Sequence, residues 1–240
     1  MKKLMIILFS LSLITTNAYA YGLSNWAEES FNNMSSYGIL TTDVVVKNLQ
    51  DNITITEFCQ MLMNMYECDK RVVLTEKDMN VFDDSDDKSV LEAYKVGIVS
   101  GKGERLFGAD NPITRQEMAV MLSRTLSIVS SEYNKYEGQL TKYHSQFSDS
   151  SKTADWALSD MSAICDYEII TGNDLNESRP LDNASREQAI CMLDRVYKKF
   201  IKNTSIHTVP KFKTVDKKAI LRDRFLLAGR PLQVQRNTTS

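Results

Sequence analysis

Two arginines, Arg115 and Arg186, stand where a cation can do chemistry. Each follows a residue that can cap a helix, Thr114 or Ser185, and so takes the first helical position. A cation there is mildly unfavourable, by about 0.3–1 kcal/mol, so its removal should not lower stability. Free backbone amides and a guanidinium at one helix end together favour an anion such as a carboxylate. The spacing therefore predicts an anion site at both arginines, and the alternative is that they are solvated surface residues.

The helices that must position these arginines have clear start signals. Thr114 and Glu117 form a capping box, and an apolar run with helical spacing follows it. Similar boxes begin at Thr54 and at Ser185, at offsets of 60 and 71 residues. Three boxes, each followed by the same apolar register, indicate an internal repeat. Ile55 replaces the arginine in the first repeat, which therefore cannot offer the same charge.

The boxes divide the chain into modules of two helices each. We expect repeat 1 at residues 21–67, repeat 2 at residues 82–130 and repeat 3 at residues 147–200, with a polar linker at 130–146. The tail, residues 201–240, contains nine lysines and arginines against two aspartates. We interpret it as a flexible extension; the start of a further domain and a polyanion-binding segment are the alternatives.

Residues 1–20 have the pattern of a secretory signal peptide. Two lysines precede an apolar run, and Ala18-Tyr19-Ala20 matches an A-x-A cleavage pattern. The run is too short for a permanent membrane span, and no later stretch is long and apolar enough for one. We expect export, cleavage after Ala20 and a mature protein without a membrane span; a buried N-terminal helix is the alternative.

Few residues suit catalysis or metal binding. The chain has two histidines, and its four cysteines lack the spacing of a zinc site. The acidic residues 83–87 are not followed by the glycine and glutamate of a calcium loop. No nucleophile elbow or metal-binding histidine pair is present. We therefore expect no catalytic residue, metal, cofactor or nucleic-acid partner, whereas pairing of Cys165 with Cys191 after export stays open.

The repeat pattern resembles the S-layer homology domain of bacterial surface proteins. The family pattern runs Phe-x-Asp, Trp-Ala, Gly-Ile-x-x-Gly, Phe and then Ile-Thr-Arg-x-Glu-x-Ala. Repeat 2 matches it at Phe82, Asp84, Gly97-Ile98, Gly101, Phe107 and residues 113–119. Repeat 3 matches it at Phe147, Asp149, Trp156-Ala157, Ile169, Gly172 and Ser185-Arg186. Repeat 1 matches it at Trp26-Ala27, Gly38-Ile39, Ile53-Thr54 and Glu57. Repeat 2 lacks the tryptophan, and repeat 1 lacks the opening Phe-x-Asp and the arginine.

The resemblance implies an all-α fold of three helix–loop–helix repeats in a pseudo-threefold bundle, with the capped helices at the centre and ligand grooves between repeats. It implies a non-catalytic module that holds an exported protein at the cell surface, the wall or S-layer, by binding a secondary cell-wall polysaccharide. Such polymers often carry a pyruvate ketal, whose carboxylate suits an arginine.

The ligand-binding residues that the resemblance implies are Arg115, Arg186, Trp26, Trp156, Asp84, Asp149, Thr114, Ser185, Gly97 and Gly101. The tryptophans would stack on sugar rings and the aspartates would bind hydroxyls, although plain core packing is an equal interpretation of the tryptophans.

Two other functions stay open. One is a secreted wall-associated enzyme or its regulatory subunit, although no segment outside the repeats has the length expected of a catalytic domain. The other is a structural repeat protein without a ligand, since repeat 1 has lost its arginine. The oligomeric state does not follow from the sequence.

Overall fold

The protein is described here from a computed structural model, which covers residues 21–67, 74, 78–136 and 138–202. This part of the chain contains eight α-helices: α1 Glu28–Ser36, α2 Thr42–Val45, α3 Ile55–Glu67, α4 Lys88–Lys95, α5 Arg115–Val129, α6 Gly138–Gln146, α7 Asp155–Asp166 and α8 Arg186–Val196. A 3-10 turn, Asn25–Ala27, leads into α1, and a π-helical turn, Tyr197–Ile201, follows α8. The described residues form isolated β-bridges but no strand, so the all-α prediction is confirmed.

The predicted signal peptide and almost all of the basic tail lie outside the described residues. None of the helices in the described part of the chain is both long and apolar enough to span a membrane.

The three capping boxes form as predicted. The Thr114 amide donates to Glu117 Oε2 at 2.8 Å, and the Glu117 amide donates back to Thr114 Oγ1 at 3.4 Å. Ser185 and Gln188 make the same reciprocal pair at α8, with both distances 3.3 Å. At α3 the Thr54 amide donates to Glu57 at 3.1 Å. Because each box satisfies helix-end donors locally, the starts of α3, α5 and α8 follow from the sequence.

The segments just before these three helices meet in a cyclic set of hydrogen bonds. The Ile53 amide donates to the Ala184 carbonyl at 3.0 Å, and the Ala184 amide donates to the Ile113 carbonyl at 3.0 Å. The Ile113 amide closes the cycle on the Ile53 carbonyl at 3.2 Å. Each residue directly precedes a cap, so equivalent positions of the three repeats bond in turn, as a pseudo-threefold arrangement requires.

The first helix of each repeat packs on the capped helix of the repeat before it. Thus α4 packs on α3, α7 packs on α5, and α1 returns to pack on α8. Fully buried side chains of the capped helices, including Phe58, Leu122 and Leu193, belong to one hydrophobic core. The three repeats therefore share a single core that is closed between the first and the last repeat.

Residues 130–146 are not the polar linker that the sequence suggested, since they contain α6. Tyr143 on this helix is buried, and its hydroxyl lies 2.7 Å from Thr153 Oγ1 and 2.8 Å from Ser178 Oγ. Tyr133 is also buried and donates to Ser123 Oγ at 2.7 Å. The sequence of this segment looks polar because tyrosine carries a hydroxyl group, but the aromatic rings of both tyrosines are buried in the core.

The cysteines that might have paired do not do so. Cys165 and Cys191 are both buried free thiols, so a disulfide between them is excluded in this structure. Burial raises the pKa of the Cys165 thiol to about 12. Such a thiol stays protonated at neutral pH and acts as a small core side chain.

Candidate ligand groove

Arg115 begins α5 and is only 9 % exposed. Its Nε donates to the Ser178 carbonyl at 2.8 Å, and its Nη2 donates to the Thr171 carbonyl at 2.9 Å. Nη1 makes no hydrogen bond to any described residue, and no carboxylate within the described ranges pairs with the guanidinium. Burial lowers the pKa of Arg115, but arginine remains a cation at neutral pH. The side chain is thus a buried charge with N–H donors that no described residue uses.

A cavity of about 460 Å³ lies beside this guanidinium and is lined by all three repeats. Repeat 1 contributes Trp26, Gln50 and Asn52, and repeat 2 contributes Arg115. Repeat 3 supplies the rest: residues 171–173, Glu177, Arg179, residues 182, 183 and 185, and the α8 side chains of Gln188, Cys191, Met192 and Arg195. We call this cavity the Arg115 groove. The volume suits a small ligand or one or two sugar units.

The Arg115 groove carries a small excess of positive charge. Three arginines line it against two carboxylates, those of Glu177 and Asp182. Arg179 pairs with Asp182 at the exposed side, and Arg195 donates to the Ile169 carbonyl at 2.9 Å. The exposed pair contributes little to stability, because such pairs are worth about 0–1 kcal/mol. Arg115 is therefore the buried cation of the groove, and Arg195, which is less buried, is a second cation that lines it.

Both tryptophans lie at the surface, so the core-packing interpretation is wrong for them. The exposed fraction is 58 % for Trp26 and 59 % for Trp156. Trp26 lines the Arg115 groove. It is held against α8 because the Ser24 amide and hydroxyl donate to Glu187 at 3.0 and 3.1 Å. An exposed indole beside a polar cavity can stack on a sugar ring.

Arg186 has a different environment. Its Nε and Nη2 donate to the two oxygens of Glu57, each at 3.0 Å, and its Nη1 donates to the Asn48 carbonyl at 3.1 Å. Lys47 also contacts Glu57, at 2.6 Å. Burial would raise the pKa of Glu57, but the hydrogen bonds from Arg186 and Lys47 outweigh burial and lower it. The structure therefore places Arg186 in an internal ion pair and not in the Arg115 groove.

The helix-start amides are not free, which corrects one part of the predicted anion site. The Arg115 amide donates to the Asp182 carbonyl at 2.9 Å, and the next amide, that of Gln116, donates to the Pro180 carbonyl at 2.9 Å. The Arg186 amide donates to the Asp51 carbonyl at 3.1 Å. Neighbouring repeats thus use these donors, and only the arginine side chain remains to bind an anion.

The motif aspartates hold loops in place. The two oxygens of Asp84 accept from the amides of Phe107 and Gly108, both at 2.7 Å. These bonds lower the pKa of Asp84. Asp149, which is buried, accepts from the amides of Ser178 and Arg179, both at 2.8 Å. Asp149 thereby fixes the loop whose Ser178 carbonyl receives Arg115, while a direct contact of either aspartate with sugar stays a prediction.

The remaining motif residues shape the backbone. Gly97 follows α4 with φ of +81°, a conformation typical of a helix C-terminus. A Cβ on Gly101 would lie 2.7 Å from the Phe82 ring, so this position needs glycine. The hydroxyls of Thr114 and Ser185 serve as caps, and Ser185 also lines the Arg115 groove. Their contact with a ligand stays a prediction.

Sequence reasoning missed the groove residues outside the motif, such as Gln50, Asn52, Asn173, Gln188 and Arg195. Most of them carried no signal, because their role depends on which repeats are neighbours. Gln188 did carry one: it stands where the other two repeats have glutamate at the third helical position.

Residues 77–119 and 146–190 match the model of the S-layer homology domain family. The chain is also 31 % identical over 102 residues to an endoglucanase of Bacillus sp. strain KSM-635, which covers 42 % of this chain and 10 % of that enzyme. An amylopullulanase of Thermoanaerobacterium thermosulfurigenes is 26 % identical over 173 residues, 70 % of this chain and 9 % of that enzyme. The chain thus spans about a tenth of the length of these curated relatives. The two stretches that match S-layer homology domains therefore overlap the second and third repeats of the chain.

Proposed function

We propose that this chain is a non-catalytic anchoring module that binds a secondary cell-wall polysaccharide through a carboxylate on the polymer. The observation that carries the proposal is the buried guanidinium of Arg115, which forms no ion pair with a described carboxylate and adjoins a groove with the exposed Trp26. Leaving a buried charge without a partner is costly, so an external anion is the natural complement of this side chain.

The groove offers the chemistry that an acidic sugar needs. The guanidinium provides planar donors for a carboxylate, and the indole of Trp26 provides an apolar face for a ring. The side-chain amides of Gln50, Asn52 and Asn183 line the same groove and can bind hydroxyls. A sugar with a 4,6-linked pyruvate ketal combines all three features, and we propose a ligand of this class.

Cell-surface localisation follows from the same proposal. The family match is to a domain named for bacterial S-layers. The two relatives are an endoglucanase and an amylopullulanase, and this chain matches about a tenth of each. Such a short shared segment on two different enzymes supports a common anchoring role rather than a shared reaction.

A pair of matched ligands and a pair of matched variants test the function. The probe is a hexosamine with a 4,6-pyruvate ketal, and its control is the 4,6-acetone ketal, which has a methyl group in place of the carboxylate. In calorimetric titration we expect wild type to prefer the pyruvate ketal by about tenfold or more. Arg115→Ala should abolish that preference, and Arg115→Lys should restore only part of it, since lysine lacks the planar fork.

The control variant is Arg105→Ala, which removes an exposed arginine that pairs with Asp83 in the same repeat. It should bind like wild type, and purified cell walls should sediment it equally well. Binding by wild type and by Arg105→Ala should also weaken with added salt. If Arg115→Ala retained the preference for the pyruvate ketal, the proposed site would be wrong.

A further inference from the structure

The third helical position differs among the repeats in a way that changes each groove. It is Glu57 in α3, Glu117 in α5 and Gln188 in α8. Arg186 meets the residue of repeat 1, Glu57, in an ion pair. Arg115, the matching arginine of repeat 2, shares its groove with the residue of repeat 3, Gln188. In the same cyclic order, Ile55 of repeat 1 lies against repeat 2, whose third helical residue is Glu117.

We propose that Glu57 is an internal ligand of Arg186, which occupies the place of an external carboxylate, and that glutamine at position 188 keeps the Arg115 groove open. This inference rests on the proposed function of Arg115. It makes the third helical position the determinant of which groove binds an acidic sugar.

The geometry of the Arg186 pair is that expected of a bound carboxylate. Two nitrogens of Arg186 face two oxygens of Glu57 at 3.0 Å each, and Lys47 adds a second cation at 2.6 Å. An outside carboxylate would have to displace Glu57 from Arg186 and leave it buried with Lys47 as its remaining cation. Breaking a buried pair in this way is strongly unfavourable, so the groove of Arg186 is closed by the chain itself.

Gln188 holds the position in repeat 3 that Glu57 holds in repeat 1, and its side chain has the same shape but no charge. Its Oε1 accepts from the Ser185 amide at 3.3 Å, as a capping glutamate would. Arg115 instead turns its Nε to the Ser178 carbonyl at 2.8 Å. The cap is thus kept without neutralising the arginine, which leaves the charge of Arg115 for a ligand.

The three combinations are then distinct. Ile55 with Glu117 offers no cation, and Arg186 with Glu57 is internally neutralised. Arg115 with Gln188 joins an arginine to a neutral partner. The Arg115 groove also has Trp26, whereas repeat 2 contains no tryptophan to serve the groove of Arg186. We infer one acidic-sugar site in each chain.

The decisive variant is Gln188→Glu, which copies the arrangement at Glu57. It should keep the cap, pair with Arg115 and weaken binding of the pyruvate ketal by about tenfold or more. The control is Gln146→Glu, which makes the same exchange at an exposed position of α6 that is not among the lining residues of the groove. Its effect should be about threefold or less and should disappear at high salt, since it acts at longer range.

A measurement without ligand separates this inference from the proposed function. In Gln188→Glu, carbon-detected NMR should show that the new carboxyl titrates below the usual range of glutamate, and Arg115→Ala in that background should return it to that range. If wild type shows no preference for the pyruvate ketal, the proposed function fails, and this titration still decides whether position 188 can neutralise Arg115. A new carboxyl that titrates normally would overturn the inference.

The reverse exchange tests the closed groove. In an Arg115→Ala background, Glu57→Gln should restore binding that depends on the carboxylate, although more weakly than in wild type because no tryptophan is supplied. Failure of a folded double variant to regain any binding would show that Glu57 does not close that groove. If this variant does not fold, the Gln188→Glu comparison alone decides. Unchanged binding of the pyruvate ketal in a Gln188→Glu protein whose new carboxylate pairs with Arg115 would overturn the inference.

Discussion

Arg115 and Arg186 occupy the same position in their repeats, yet their side chains have different roles. Local rules treat both as unfavourable cations whose removal is harmless. Burial overturns that expectation, because Arg115 supplies hydrogen bonds to two loop carbonyls and Arg186 neutralises a buried glutamate. The type and position of each arginine were visible in the sequence. Their partners were not, since they lie 56 to 138 residues away.

Arg186→Ala should destabilise the protein markedly. It removes both hydrogen bonds to Glu57 and leaves that carboxylate buried with Lys47 as its remaining cation. Breaking a buried pair costs about 3–5 kcal/mol, which denaturant unfolding can measure. Arg105→Ala breaks an exposed pair and should therefore cost much less stability. Equal losses for the two variants would show that the burial of the Arg186 pair has no energetic consequence.

The same pair should make stability depend on acid. The pKa of Glu57 is lower in the folded protein than in the unfolded chain. Its contribution is therefore complete above the ordinary glutamate pKa of about 4.3 and is lost as pH falls through the lowered folded value. Glu57→Gln should flatten the decline of the unfolding free energy below about pH 4.3 relative to wild type. Parallel acid profiles for the two proteins would contradict this assignment.

At the scale of single elements, the sequence predicted what local interactions decide. Capping boxes satisfy their own donors, so α3, α5 and α8 begin where the boxes place them. Two elements were not foreseen: the four-residue α2 and the helix α6. A single turn has no period to detect, and α6 buries Gln139 and Tyr143, whose polar groups conceal its inner face.

Gly101 and Gly172 are matched in the two repeats, and comparing them separates structural from ligand-binding roles. A Cβ on Gly172 would lie 2.8 Å from the Phe147 ring, and one on Gly101 would lie 2.7 Å from the Phe82 ring. Each alanine variant should therefore lose about 1–3 kcal/mol of stability by overpacking. Gly172 lines the Arg115 groove and Gly101 is not among its lining residues.

Gly172→Ala should therefore also weaken binding of the pyruvate ketal, because the displaced loop carries the carbonyls that hold Arg115. Gly101→Ala should lower stability and leave affinity unchanged. Thermal melts and calorimetric titration of both variants give the comparison. Reduced affinity in Gly101→Ala at a temperature where it is fully folded would restore Gly101 to the set of ligand-binding residues.

At the scale of the whole molecule, the repeats form a closed arrangement in which repeat 1 packs on repeat 3. Local sequence patterns could not predict this closure. Periodicity predicted three similar modules, and the pseudo-threefold arrangement came from the family resemblance. The structure supplies the physical basis for closure: a cycle of backbone bonds through Ile53, Ile113 and Ala184, and the packing of α1 on α8. A ligand groove lined by three repeats depends on this closure, since Trp26 and Arg195 are 169 positions apart in the chain yet line one cavity.

Closure predicts that the three repeats unfold together. A chain of residues 21–130 would lose α8, against which α1 packs, and would leave Glu57 without Arg186. It would also break two of the three backbone bonds of the central cycle, because Ala184 takes part in both. Each repeat has too little core of its own to compensate. We therefore expect residues 21–130 to show no sharp thermal transition by circular dichroism.

A chain of residues 21–202 is the control, since it keeps every described element and lacks only the segment predicted to be flexible. It should melt in one transition at nearly the temperature of a chain of residues 21–240. Amides in α3, α5 and α8 should show similar protection from hydrogen exchange in that control, because all three helices become exposed only when the three repeats unfold together. A cooperative melt of residues 21–130, or protection confined to the helices of one repeat, would mean that the repeats are stable separately and that the Arg115 groove is assembled from independent parts.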